Sequence, residues 1–125
     1  MNLILLALCA HFLGDFLLQN TRTVAAKNAG RLWAHGKHGL LITFLTWLAT
    51  HFYGLGAAFF YAILVGLAHL LIDSAKCFLE KGKAGGTKLL LFLLDQGIHL
   101  VVLFVFFPLF PTAYPDPKVL AFYQA

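Results

Sequence analysis

Charge is what this chain has least of. Of its 125 residues only 11% are charged, nine basic and five acidic, where soluble domains carry about a quarter. With 61% hydrophobic residues and a mean hydropathy of +0.84, there is too little polar side chain to clothe a soluble fold. The basic residues make no continuous patch. All but Lys118 fall in two short segments between apolar runs, Arg22 to Lys37 and Lys76 to Lys88, so the net charge of +4 does not read as a nucleic-acid surface. Cysteine is nearly absent too. Cys9 and Cys77 have no metal-type spacing and make no disulfide framework; each reads as a small buried hydrophobe. Leu6-Ala7-Leu8-Cys9 has the outline of a lipoprotein cleavage site, but no positive segment precedes it and its apolar stretch is very short, so the first helix is expected to be retained.

What is present is a series of long apolar runs. Residues 2–19, 35–53, 57–78 and 88–107 are each read as a membrane-spanning helix, which makes the chain an all-α, polytopic membrane protein with about four transmembrane helices in one bundle. Residues 20–34 and 79–87 are the basic connections, the first a loop plus a short interfacial helix with Trp33 at headgroup depth, or else a linker facing water. The positive-inside rule puts both on the cytoplasmic side of an inner membrane and both termini outside. Pro108, Pro111, Pro115 and Pro117 predict an irregular tail over residues 108–125, with the part from Thr112 along the membrane surface.

Against that apolar background three His/Asp pairs stand out: His11 and Asp15, His69 and Asp73, and, reversed, Asp95 and His99. Four-residue spacing puts both members of a pair on one helix face. The third pair lies on a helix running the opposite way, so the reversal of sequence cancels the reversal of direction. In all three helices the Asp lies nearer the cytoplasmic face and the His about 6 Å deeper. His35 and His38 open the second span on that same side. Four helices thus bring polar groups to one layer of the bilayer. Ala-His-x-x-x-Asp at residues 10–15 and 68–73 also hints at a 58-residue repeat, which the remaining helices do not sustain.

Three kinds of chemistry fit this layer. The first is a divalent-metal site, zinc or else manganese or iron, since imidazole and carboxylate ligands suit those ions and facing helices of a bundle commonly build such sites. The ligand candidates are His11, Asp15, His38, His69, Asp73, Asp95 and His99. His38 lies deeper than His35 and is preferred to it; Gln19 and Gln96 are read as hydrogen-bonding. Asp15, Asp73 and Lys76 are the catalytic candidates for a metal-dependent hydrolase. In that reading Lys76 and Lys37 hold an anion at the mouth, and the substrate is phosphorylated or lipidic. The second kind is a purely structural hydrogen-bond network, which three buried carboxylates make expensive at about 2.5–3.5 kcal/mol each near mid-helix. The third is a proton or ion relay, which would need a homo-oligomer to complete it, because outer stretches such as Leu3 to Ala7 and Val101 to Phe107 hold no ionisable residue. His51, at the far end from His38, reads as an interfacial polar residue.

His11-Phe-Leu-Gly-Asp15-Phe-Leu-Leu-Gln19, His69-Leu-Leu-Ile-Asp73-Ser-Ala-Lys76 and Asp95-Gln96-Gly-Ile-His99 together resemble the signature of a small bacterial and phage membrane family, domain of unknown function 3307. The resemblance covers the chain from His11 to His99 and implies a four-helix inner-membrane protein, with no activity attached. The His35-Gly-Lys-His38-Gly turn is also similar to one in the LexA-regulated, membrane-bound proteins assigned as metal-dependent hydrolases, although the Arg and Thr/Ser of that turn are missing here. That second resemblance implies metal-dependent hydrolysis.

Overall fold

Asn2 and Asn20 start the first two helices by the same device: each side-chain oxygen accepts a backbone N–H of the first turn, from Ile4 at 3.1 Å and from Thr23 at 2.8 Å. In the computed structural model, which describes residues 2–111 and 114–125, these are α1 (Leu3–Phe12) and α2 (Thr21–Asn28). They are followed by α3 (Leu32–Thr50), α4 (Leu55–Leu79), α5 (Gly86–Val105) and α6 (Pro117–Gln124). The fold is all-α, with no strand among the described residues.

Between α1 and α2 the chain does something the sequence does not announce. Leu13–Leu17 winds as a π-helix, and the axis then turns by 83° into α2. A π-segment spaces its residues differently from an α-helix and is frequent at functional sites; this one carries Asp15. The short helix expected within residues 20–34 is α2, and it packs against α3 and α4.

α3 and α4 pack closely against each other. A Cβ at Gly66 would collide with the Thr43 side chain and lie 3.2 Å from the Gly39 carbonyl oxygen, so two backbones meet where only glycine fits. α1 packs on α3, and α5 on α4. One end of this bundle has an apolar core of Leu3, Ile42, Tyr61, Val65 and Leu103, inside which the Tyr61 hydroxyl donates to the Leu103 carbonyl at 2.8 Å.

α4 and the stretch from Gly86 to Leu109 are long and apolar enough to cross a membrane, and the bent pair Leu3–Leu17 with Thr21–Asn28 is a third candidate. The fourth expected span differs. α3 has the length, 19 residues, but His35, Lys37 and His38 hold its hydropathy down, and His35 and His38 are buried in the protein.

The tail departs from the irregular structure expected of it. Asp116 caps α6, its carboxylate accepting the Lys118 N–H at 2.9 Å, and Pro117 occupies the first turn, where proline favours a helix. Thr112 and Ala113, where the surface-lying tail was expected to begin, lie outside the described residues.

Candidate metal centre

α1, α3, α4 and α5 each turn one histidine inward at the same level: His11, His38, His69 and His99, all 3% exposed or less. The π-helix brings Asp15 into their midst. Its Oδ1 lies 3.0 Å from His38 Nε2 and 3.3 Å from His69 Nε2, while its Oδ2 lies 3.6 Å from His11 Nε2. The Gln96 amide donates to the same Oδ2 at 3.4 Å and to Asp95 Oδ2 at 3.1 Å, tying two carboxylates together. His99 closes the ring, its imidazole centroid 4.1 Å from that of His69 and 5.2 Å from that of His11.

Most of the nitrogens in this ring have no hydrogen-bond partner. His11 Nε2, both nitrogens of His69 and both of His99 are buried and unsatisfied among the described residues. Buried polar atoms are nearly always paired, because leaving one bare costs about 1–3 kcal/mol. Three of the five lie against a carboxylate without a hydrogen bond, His69 Nε2 and His11 Nε2 at 3.3 and 3.6 Å from Asp15 and His99 Nδ1 at 3.5 Å from Asp95, so the ring presents several unengaged lone pairs and N–H groups in one place. One ligand atom each from His11, Asp15 and His69 falls within 4.8 Å of the others, a separation a metal ion can close.

A second group lies one turn along α4. Asp73 Oδ2 accepts from Lys27 Nζ at 2.7 Å and stands 3.3 Å from His35 Nδ1. Lys27 is only 3% exposed, and its ammonium carries the positive charge into the bundle on α2. Cys77 adds its sulfur to the group with His35 and Asp73 and lies 3.8 Å from Asn28 Oδ1. Asp95 forms a third arrangement. His99 Nδ1 is 3.5 Å from its Oδ1, and Lys76 Nζ is 3.8 Å from its Oδ2.

The expected residues are thus not all in one place. His11, Asp15, His38, His69 and His99 converge. Asp95 touches the edge of this group through Gln96 and His99. Asp73 belongs with Lys27 and His35, and Lys76 sits between Asp95 and Glu80, over the Phe92 ring. His51 is far from all of them: its Nδ1–H donates to the Leu48 carbonyl and its Nε2 accepts from the Tyr123 hydroxyl at 2.8 Å, pinning α6.

Lys27 is the residue that sequence reasoning missed. It looked like one more basic loop residue. The signal that could have found it is the Asn20 cap, which starts a helix and puts Thr23 and Lys27 on one face, both of them buried.

A family model described as a protein of unknown function (DUF3307) matches residues 3–120. The chain belongs to that family, and the match covers every residue of the two buried groups. Neither the curated proteins nor the solved structures contain a match.

Proposed function

Taking that family membership as the premise, we propose that the protein is a membrane-embedded metal-dependent hydrolase whose centre is built on His11, Asp15 and His69. The observation that carries this reading is the set of unsatisfied buried imidazole nitrogens around Asp15. Zinc suits the donor set best, two imidazoles and one carboxylate, with manganese or iron as alternatives. A divalent ion there would polarise a substrate oxygen and make a water molecule nucleophilic near neutral pH.

The chain's own residues supply the rest. His38 holds Asp15 in place through its N–H at 3.0 Å, as supporting residues commonly do for metal ligands. His99 lies against both histidine ligands, its Nδ1 3.5 Å from Asp95 Oδ1 and its Nε2 without a hydrogen-bond partner, which puts it in position to accept or return a proton. Gln96 links Asp15 to Asp95 and fixes the spacing of the two carboxylates. Lys27 and Asp73 neutralise each other and hold α2 against α4. In this reading α3 crosses the bilayer with the other three spans, its histidines shielded from lipid by the bundle, and the Lys- and Arg-rich connections face the cytoplasm.

The same contacts support a second reading, a non-enzymatic polar network or proton relay through His38, His69 and His99. The Gln96 bridge between two carboxylates favours it. Turnover separates the two. Protein purified in detergent and loaded with zinc or manganese is assayed on chromogenic phosphoesters and carboxylic esters. Hydrolysis that falls at least about a hundredfold in His69→Ala and Asp15→Asn supports the hydrolase. A fully loaded wild type that turns over neither class of ester contradicts it.

A further inference from the structure

The break between the π-helix and α2 leaves a cavity of about 360 Å³ beside the centre. Its polar wall is Gln19, Asn20, Lys37 and His38, and its apolar wall includes Leu18 and Leu40. Each part bears on what could sit there. His38 is at once a wall of the cavity and the donor to Asp15, so a molecule in the cavity lies one side chain away from the centre. Gln19 lines the same space, and its amide NH2 has no hydrogen-bond partner among the described residues, which leaves two donors free. Asn20 caps α2, so the positive end of that eight-residue helix borders the same space. Lys37 has no carboxylate within ion-pair distance among the described residues, unlike Lys27 and Lys76. Leu18 and Leu40 are 50% and 73% exposed and continue the apolar wall outward.

We propose that this cavity seats the phosphate-class headgroup of an anionic amphiphile. Lys37 and the start of α2 supply the counter-charge, the Gln19 amide donates to a phosphate oxygen, and the acyl chain runs out along Leu18 and Leu40. The inference deepens the hydrolase reading and rests on it for its consequence, because it names the substrate class. The seat itself consists of residues outside the proposed ligand set, so the two stand or fall separately.

The test uses full-length protein in maltoside micelles with three probes: phosphatidic acid, phosphatidylcholine and inorganic phosphate. Native mass spectrometry counts retained lipid, and metal content is measured on the same samples. Wild type is expected to retain phosphatidic acid over phosphatidylcholine. Lys37→Gln is expected to weaken that retention about tenfold, as loss of a charge-assisted contact should, and Lys37→Arg to restore most of it; Gln19→Leu weakens it less. Failure of millimolar inorganic phosphate to displace the lipid identifies a membrane-borne headgroup, and displacement identifies a soluble phosphoester; either outcome supports the seat. No preference for phosphatidic acid in wild type, or equal retention by Lys37→Gln and Gln19→Leu, overturns the proposal. Lys37-dependent retention by a protein that holds no metal keeps the seat and removes the hydrolase. Bound metal with retention indifferent to Lys37 does the reverse.

Discussion

Asp15 and Asp73 are carboxylates buried to the same degree in the same bundle, each with a side chain 9% exposed, yet their surroundings solve the problem of burial in different ways. Asp73 has a fixed cation, Lys27 Nζ at 2.7 Å, with His35 as a further donor. Asp15 has no lysine or arginine within ion-pair distance among the described residues. Around it stand three imidazoles at 3.0, 3.3 and 3.6 Å, and His11 and His69 leave three ring nitrogens without hydrogen bonds. A carboxylate matched by an internal ammonium is complete as it stands. A carboxylate surrounded by imidazoles, with no ammonium or guanidinium beside it, has room in its surroundings for a cation from outside. The comparison therefore separates the two groups: the first locks α2 to α4, and the second is the one proposed to bind an ion.

Breaking the ion pair should have the largest effect. Lys27→Met leaves the Asp73 charge buried without its cation and should destabilise the protein by about 3–5 kcal/mol, read as thermal unfolding in detergent. The double variant Lys27→Met/Asp73→Leu should recover most of that loss. A double variant as unstable as the single one would mean that the pair does not lock the helices.

The matching change at the other carboxylate should behave in the opposite sense. Asp15→Asn should weaken zinc binding at least about a hundredfold while leaving the metal-free thermal midpoint unchanged or higher, since it removes a buried charge that has no fixed partner. Isothermal titration and unfolding of the metal-free protein read the two effects apart. A large fall in metal-free stability would make Asp15 structural, like Asp73.

Acid should sharpen the contrast. Imidazoles must be neutral to bind metal, so affinity should fall as acid protonates them, by roughly tenfold per unit for each histidine that takes up a proton. Zinc titrations at stepped pH measure this. Affinity that rises as the pH falls would contradict imidazole and carboxylate ligation.

Two further variants probe regions that the two groups share or leave untouched. Gly66→Ala places a Cβ against Thr43 and the Gly39 backbone. It should cost about 1–3 kcal/mol and lower the midpoint of the metal-free and zinc-loaded protein alike, because α3 and α4 contribute to both groups. His51→Ala frees α6 from the Tyr123 contact and should cost about 1 kcal/mol, with faster hydrogen exchange confined to residues 117–124. Loss of metal in His51→Ala would contradict the separation of the two ends.

How much of this could be read in advance follows from what spacing encodes. The i, i+4 pairs put the right residues on inward faces, and His11, His69 and His99 do meet at one level. Spacing does not choose partners, because a side chain's direction and the neighbouring helices decide which atoms touch. So His69 approaches Asp15 of another helix, and Asp73, its own pair-mate, goes to Lys27 and His35. The π-helix at Leu13–Leu17 has no composition signal, since Leu-Gly-Asp-Phe-Leu reads equally well as α-helix. The membrane scale also treats His35 and His38 as penalties when both are buried within the protein. The helix at Pro117 was hidden for a simpler reason. Proline stops a helix from within but starts one from its first turn.

The most direct test of the central claim is metal content by mass spectrometry on protein purified without chelators, with wild type, His69→Ala, Asp15→Asn and the Lys27→Met/Asp73→Leu double variant side by side. The account predicts about one equivalent of zinc, manganese or iron in wild type, its loss in His69→Ala and Asp15→Asn, and its retention in the double variant. Wild type that holds no metal, even after zinc or manganese is added, would contradict it.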